Sequence, residues 1–381
     1  MFPQLKKLFM LDPNITYLNH GSFGACPKPI FENLIKYQKQ LEYEPVKYLD
    51  IDILELLNKS RDHLSNYINC NKDDIVFFPN PSTALNTVIK SLNLQKGDEI
   101  LSTNHEYGAM DMAWRYICKK TGAKYIQKDI KLPLSSKDQF INEFSKSISP
   151  KTKIIFLSHI TSPTALIFPV KEICKIAQKN NIISIIDGAH VPGHIKLDIE
   201  DIKPDIYTGA CHKWMCSPKG TCFLYVKNEL QSSIDPLVIS WGYEGAEVSS
   251  GSQFLDYLQW QGTKDISAYL TLPYTIEFLK NNNWEDVSKK CRELTIWAKD
   301  EINTLLNQPS LANNEFLGQM SSFYINSKNP RMDQLEFYNK YNIQIPFINW
   351  NNQSLMRISI QAYNSKEDVC KLLEALKKEY C

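Results

Sequence analysis

Glycine is scarce in this chain, with 14 in 381 residues, so a glycine beside a candidate motif is expected to serve the backbone there. Long apolar runs are missing too. Nothing reaches the roughly 18 residues of a membrane-spanning helix, and the opening Met1-Phe2-Pro3-Gln4-Leu5-Lys6-Lys7 lacks the apolar stretch of a signal peptide. Neither sign of charge dominates: 43 Lys and Arg against 42 Asp and Glu leave a net +1. No overall field therefore favours nucleic acid or an anionic membrane. Cysteine is present, ten residues in all, but without paired Cys-x-x-Cys knuckles. Cys211, His212, Cys216 and Cys222 stand close together, yet Cys222 opens an apolar strand, and no metal is expected. The thiols are expected to be reduced, in the cytoplasm.

What is present is the texture of an ordinary soluble protein, 43% hydrophobic and 22% charged. Apolar runs alternate with helical patterns. Ile75–Phe78 reads as a buried strand ending at Pro79-Asn80-Pro81, and Leu85, Val88, Ile89 and Leu92 then mark one helix face. Strands at 99–102 and 153–158, with helices at 109–121 and 170–180, lead to a strand ending at Asp187, and the rhythm persists to about residue 226. This predicts an α/β architecture, a mainly parallel sheet covered on both faces. After a loop-rich stretch at 235–264 come helices at 266–281 and 284–306, half-buried strands at 321–325 and 355–360, and a terminal helix at 365–379. The expected division is an N-terminal arm, 1–25, crossing onto a small α+β domain, 266–381, beside a large domain, 26–265.

Two residues of the large domain draw attention together. Asp187 closes an apolar strand before Gly188-Ala189-His190, and Lys213 lies between His212 and Trp214 ahead of the apolar run Cys222–Val226. Alone, each has an ordinary reading as a turn acid or a solvated lysine. Together they suit pyridoxal phosphate, whose aldehyde needs an amine and whose ring nitrogen needs an acid. Ser82 and Thr83 sit where a strand turns into a helix, a site for a phosphate dianion or a simple N-cap. His190 could reach the cofactor's phenolic oxygen or be a structural histidine, and His212 and the Gly262-Thr263 turn offer further phosphate contacts. Arg357 stands in an alternating strand, where its charge calls for a salt bridge or for a substrate carboxylate held through two hydrogen bonds.

These segments resemble the class V aminotransferase family, within fold type I of the pyridoxal phosphate enzymes. Tyr17-Leu18-Asn19-His20-Gly21-Ser22-Phe23-Gly24 and Asp187-Gly188-Ala189-His190-Val191-Pro192-Gly193 look most like its isopenicillin N epimerase-like branch. Arg357-Ile358-Ser359-Ile360 followed by Ala362-Tyr363-Asn364 looks like the family's carboxylate-binding signature. The resemblance implies a large domain with a mainly parallel, seven-stranded-type sheet, a Schiff base on Lys213, and Asp187 on the pyridine nitrogen. It gives His190 the phenolic oxygen, and Ser82, Thr83 and His212 the phosphate. Tyr107 would stack on the ring, and Asn19, His20 and Arg357 would meet the substrate. Gly262 and Thr263 would enter a neighbouring subunit's site, implying a homodimer.

Two departures bear on the reaction. Cysteine desulfurases of the family carry a nucleophilic cysteine ahead of the small-domain strand, and Gln308 to Met320 contains none. Ser162 stands where they place an asparagine. A persulfide-forming cysteine desulfurase is therefore not expected; the branch resemblance itself puts an amino-acid epimerase ahead of a C–S lyase, an aminotransferase or a cyclase, with a non-catalytic binding protein as the remote rival. Epimerisation by two bases calls for a second acid/base, for which Tyr107 and His20 are the candidates.

Overall fold

A computed structural model describes residues 2–244 and 249–381. Met1 of the expected arm and residues 245–248 of the expected loop-rich stretch lie outside them. The central sheet has seven strands: β2 (Ile75–Phe78), β3 (Glu99–Thr103), β4 (Lys124–Lys128), β5 (Thr152–Ser158), β6 (Ile183–Asp187), β7 (Ile206–Ala210) and β8 (Cys222–Val226). Their order is β2-β8-β7-β6-β5-β3-β4. Only β8 runs against the others, pairing antiparallel with β7 and β2. Every residue of β2, β7 and β8 is buried, as continuous apolar runs between covering layers should be. The covering helices use one face each: helix Val170–Lys179 buries Val170, Ile173, Cys174 and Ala177.

The carboxyl ends of the strands converge, which is where open α/β sheets bind ligands. Ser158 ends β5 in register with Asp187, which ends β6. Lys213 follows β7 by three residues, and helix Pro81–Ser91 begins just beyond β2.

A second sheet, antiparallel, holds β9 (Met320–Tyr324), β11 (Phe347–Trp350) and β12 (Gln353–Ser359) in the order β11-β12-β9. The N-terminal segment joins this side of the molecule. Its β1 (Thr16–Tyr17) pairs parallel with β10 (Ile343–Gln344), and Asn19 bridges to Ser359. The helix expected over 266–281 is broken into Ser267–Leu270 and Leu272–Asn281, with Pro273 in the first turn of the second piece, where a ring clash ends the preceding helix. Both pieces pack on helices Lys28–Tyr43 and Ile53–Ile68 of the N-terminal half, whereas helix Trp284–Leu305 packs on β9. No helix among the described residues is long and apolar enough to cross a membrane.

Candidate active site

The converging strand ends enclose a cavity of about 330 Å³, lined by Ser82, Tyr107, Asp187, His190, His212, Lys213 and Arg357, with Ser22, Asn80, Ser158 and Ser162 beside them. That volume lies within the range for small-molecule sites.

Asp187 is held by its neighbours in sequence. Gly188 passes so close to Tyr207 that a Cβ would stand 2.2 Å from the phenol oxygen, so only glycine lets the chain turn there. The carboxylate accepts one protein hydrogen bond among the described residues, from the Ala189 N–H at 2.9 Å. Burial raises its pKa, opposed by that bond and by Lys213. A buried carboxylate with spare acceptor capacity calls for a cation or a protonated ring nitrogen.

Lys213 lines the same cavity. Burial pushes its amine down to about 8, with Arg357 adding repulsion and Asp187 opposing it. Its Nζ is 3.3 Å from His190 Nε2. His190 Nδ1 in turn accepts the Trp214 indole N–H at 3.3 Å. An indole only donates, so neutral His190 carries its proton on Nε2 and offers it to Lys213. Burial, then Lys213 and Arg357, hold His190 well below the usual histidine range, which keeps it neutral. Trp214 is itself clasped between His20 and His194, with ring centroids 4.9 and 4.0 Å away.

The backbone of the lysine segment is fixed from the N-terminal arm. Gly24 adopts φ +68°, and a Cβ there would lie 2.1 Å from the His212 carbonyl oxygen. His20 is fully buried behind the wall, not in the cavity. Its Nε2 lies 3.0 Å from the Lys213 carbonyl oxygen, which must accept, and its Nδ1 takes the Tyr363 hydroxyl at 2.9 Å. Burial lowers its pKa to about 3. With both ring nitrogens engaged, His20 positions the lysine segment and is not free to move a substrate proton. Asn19 also stays behind the lining and accepts from the Ser22 hydroxyl.

Arg357, on β12, is buried without any carboxylate within salt-bridge distance among the described residues. Nη1 donates to the Ser162 carbonyl and to Ser162 Oγ, Nη2 reaches Ser22 Oγ at 3.3 Å, and Nε has no partner. Burial pulls its pKa down to about 10. An uncompensated buried guanidinium is costly, and an arriving carboxylate relieves it.

At the far end, Asn80 caps helix Pro81–Ser91. Its Oδ1 takes both the Thr83 N–H at 2.8 Å and the Thr83 hydroxyl at 3.1 Å. Thr83 is thus spent on the cap and does not line the cavity, whereas Ser82 does. His212 lies 3.0 Å through Nδ1 from the Thr221 carbonyl oxygen, so Nδ1 carries a proton. Burial lowers its pKa to about 4. Gly262 and Thr263 do not line this cavity, and Thr263 is exposed.

The sequence reading missed Glu106, Ser158, Ser22 and Trp214. Glu106 is buried and accepts from Thr103 Oγ1 at 2.6 Å, Ser158 Oγ at 2.6 Å and Ser158 N–H at 2.8 Å. Burial carries its carboxyl up to about 8, against those bonds. Its one sequence signal was a carboxylate three residues after a strand-ending threonine.

An acid with spare capacity, an amine of lowered pKa and a hydroxyl at a helix N-terminus meet the three demands of pyridoxal phosphate, which is the cofactor. The Aminotransferase class-V family model matches residues 17–372. Isopenicillin N epimerase of Amycolatopsis lactamdurans is 28% identical, over 97% of this chain and 96% of that protein. A solved structure of a C-DES variant with glycine covalently linked to its pyridoxal phosphate superposes with a TM-score of 0.84 at 20% identity, covering 100% of this chain and 98% of that one. The apo cysteine desulfurase of Thermococcus onnurineus gives 0.82 at 20% identity, with the same coverage. At that identity the likeness is one of fold.

Proposed function

The chain belongs to the class V aminotransferases, and we propose that it acts at Cα of an amino-acid substrate, removing the Cα proton and returning it on the opposite face. One observation carries this reading: Arg357, a buried cation without a counter-ion, and Lys213, an amine of lowered pKa, face the same cavity.

When bound, pyridoxal phosphate supplies an electron-accepting ring that makes the Cα proton acidic. Ser82 and His212 would hold its phosphate, Asp187 its ring nitrogen and His190 its phenolic oxygen. Arg357 would grip the substrate carboxylate through paired N–H groups whose plane is set by Ser22 and Ser162. The Lys213 amine, neutral in useful amount near pH 8, takes the Cα proton. Inversion then needs a donor on the other face. His20 is committed to Tyr363 and the Lys213 carbonyl, which leaves Tyr107, half-exposed in the cavity lining, to deliver it.

A persulfide-forming desulfuration is disfavoured in this reading: residues 308–320 carry no cysteine, and none of the ten cysteines lines the cavity. The exposure of Thr263, away from its own site, supports a homodimer in which the Gly262-Thr263 turn enters the partner's phosphate end. Ten unpaired cysteines support a reducing, cytoplasmic setting.

The test is incubation of the cofactor-loaded protein with single enantiomers of amino acids in deuterated water. Deuterium at Cα with loss of optical purity is expected. Pyruvate with sulfide, or a keto acid, as the dominant product would replace the reading by β-elimination or transamination.

A further inference from the structure

Two buried acids approach the cavity, and only Asp187 has a part in the proposed reaction. The other, Glu106, follows β3 by three residues and reaches Ser158, which ends β5 in register with Asp187. Its partners are all neutral: the Thr103 hydroxyl on Oε1, and the Ser158 hydroxyl and N–H on Oε2. Asp187 on β6 and Tyr125 on β4 are the titratable groups nearest to it. It also shares the wall of a second chamber, about 540 Å³, with Tyr107, Asp111, Arg115 and Arg357, the last of which lines the first cavity too. Neither arginine compensates Glu106, because Arg115 donates to Gln127 and Arg357 to Ser22 and Ser162. His105 and His159, its neighbours in the chain and beside Ser158, are held neutral by burial, at about 4 and about 3.

A buried carboxyl with neutral partners beside a second acid retains its proton. Burial carries Glu106 up to about 8, with Asp187 adding to it and the three hydrogen bonds opposing. The surroundings decide which oxygen bears that proton. An N–H cannot accept, so the choice lies between Thr103 Oγ1 and Ser158 Oγ. Thr103 is fully buried, and its oxygen already takes the His105 N–H at 3.2 Å. Accepting from Glu106 as well would strand its own hydrogen, which is costly in the interior. Ser158 is less confined. It lines the cavity, and Glu106 is its hydroxyl's only protein partner among the described residues. The proton therefore belongs on Oε2, and the Ser158 hydrogen is released towards the cavity.

We infer that Glu106 is a positioning residue for the acid end of the site: as a neutral carboxyl it makes the Ser158 hydroxyl a donor beside Asp187, and on ionising it turns that hydroxyl back into an acceptor. A donor there helps Asp187 stay ionised, the state in which it holds a protonated ring nitrogen. Its purpose rests on Asp187 serving the cofactor, whereas the proton on Glu106 is a property of the apoprotein.

Infrared difference spectra of the apoprotein, parent minus Glu106→Gln at about pH 7, should show the carbonyl band of a neutral carboxyl, fading as pH rises through about 8. Glutamine mimics the neutral acid, donating to Ser158 and accepting from Thr103, so this variant should fold. Between the ordinary 4.5 and about 8 the folded parent holds a proton that the unfolded chain has lost, so its stability falls as pH rises. The parent's denaturant midpoint should therefore drop across that window relative to that of Glu106→Gln. With pyridoxal phosphate loaded, the visible absorbance should titrate near pH 8 in the parent, and Glu106→Gln and Ser158→Ala should each remove that component. Absence of the carboxyl band means that Glu106 is ionised and overturns the inference. A spectral titration that survives Ser158→Ala also overturns it, because Glu106 would then not act through Ser158. If the protein takes up no cofactor, the cofactor reading fails, and a carboxyl band lost in Glu106→Gln still supports the proton on Glu106.

Discussion

The indole N–H of Trp214 donates to Nδ1 of His190 and thereby decides which nitrogen of that ring faces Lys213 with a proton. The indole is immobilised between two histidine rings, one of which, His20, also ties down the Lys213 carbonyl. Tautomer and lysine placement are thus set by one packed cluster.

Trp214→Phe keeps most of the packing and removes only the donor. Neutral His190 can then place its proton on either nitrogen. We expect Cα–H exchange to fall about tenfold and the pH-dependent absorbance change of the bound cofactor to shift, with the melting temperature little altered. An unchanged spectral titration would mean that the indole does not set the His190 tautomer.

Arg357 makes opposite predictions for stability and for binding. Arg357→Met removes a buried charge without a counter-ion, so the apo protein should keep its stability or gain up to about 2 kcal/mol, measured by denaturant unfolding. Arg357→Lys keeps a charge but loses the planar fork, and amino-acid affinity should fall about tenfold to a hundredfold.

The pH dependence of apo stability isolates Lys213. Its folded pKa, about 8, lies below the ordinary 10.5, so between those values the unfolded chain binds more protons than the folded one. Stability from this group therefore rises with pH across about 8 to 10.5, and the full penalty applies below 8. Lys213→Met should be more stable than the parent at pH 7, with the difference shrinking as pH climbs towards 10.5. A difference independent of pH would show that the amine is not desolvated.

His212 should take up a proton when phosphate arrives. Nδ1–H is held by the Thr221 carbonyl, so Nε2 of the neutral ring carries no hydrogen and would oppose a dianion with a lone pair. Pyridoxal phosphate affinity should strengthen from pH 8 to pH 6 by up to tenfold more than that of pyridoxal, which lacks the phosphate. His212→Asn should erase that contrast, and equilibrium dialysis measures it.

Tyr107→Phe separates the two faces of the reaction. Tyr107 is 47% exposed, so folding should be indifferent to within about 0.5 kcal/mol. Inversion at Cα should fall about a hundredfold, while exchange with retention, mediated by Lys213, survives. Equal loss of both would assign the second face to another group.

Much of this arrangement is local and was legible in the chain. The apolar run into Asp187, the lysine after β7 and the βα alternation all depend on neighbours a few residues away. The rest depends on distant partners. His20 reads as a catalytic candidate until Tyr363, 343 residues on, is seen to occupy its Nδ1. Thr83 reads as a phosphate ligand until Asn80 claims it. The edge strand β4, Lys-Tyr-Ile-Gln-Lys, is too polar to stand out, and none of its residues is fully buried. Arg357 announced itself as an expensive charge, but its place between two chambers is a matter of tertiary packing.

The central claim is that one pyridoxal phosphate lies between the Asp187 carboxylate and the Lys213 amine. Borohydride reduction of the yellow protein followed by peptide mass mapping tests it most directly. The reduced cofactor's mass is expected on the peptide containing Lys213, and Asp187→Ala should abolish most of the cofactor's visible absorbance. Label on another lysine, or no label on a protein that still binds the cofactor, would contradict it.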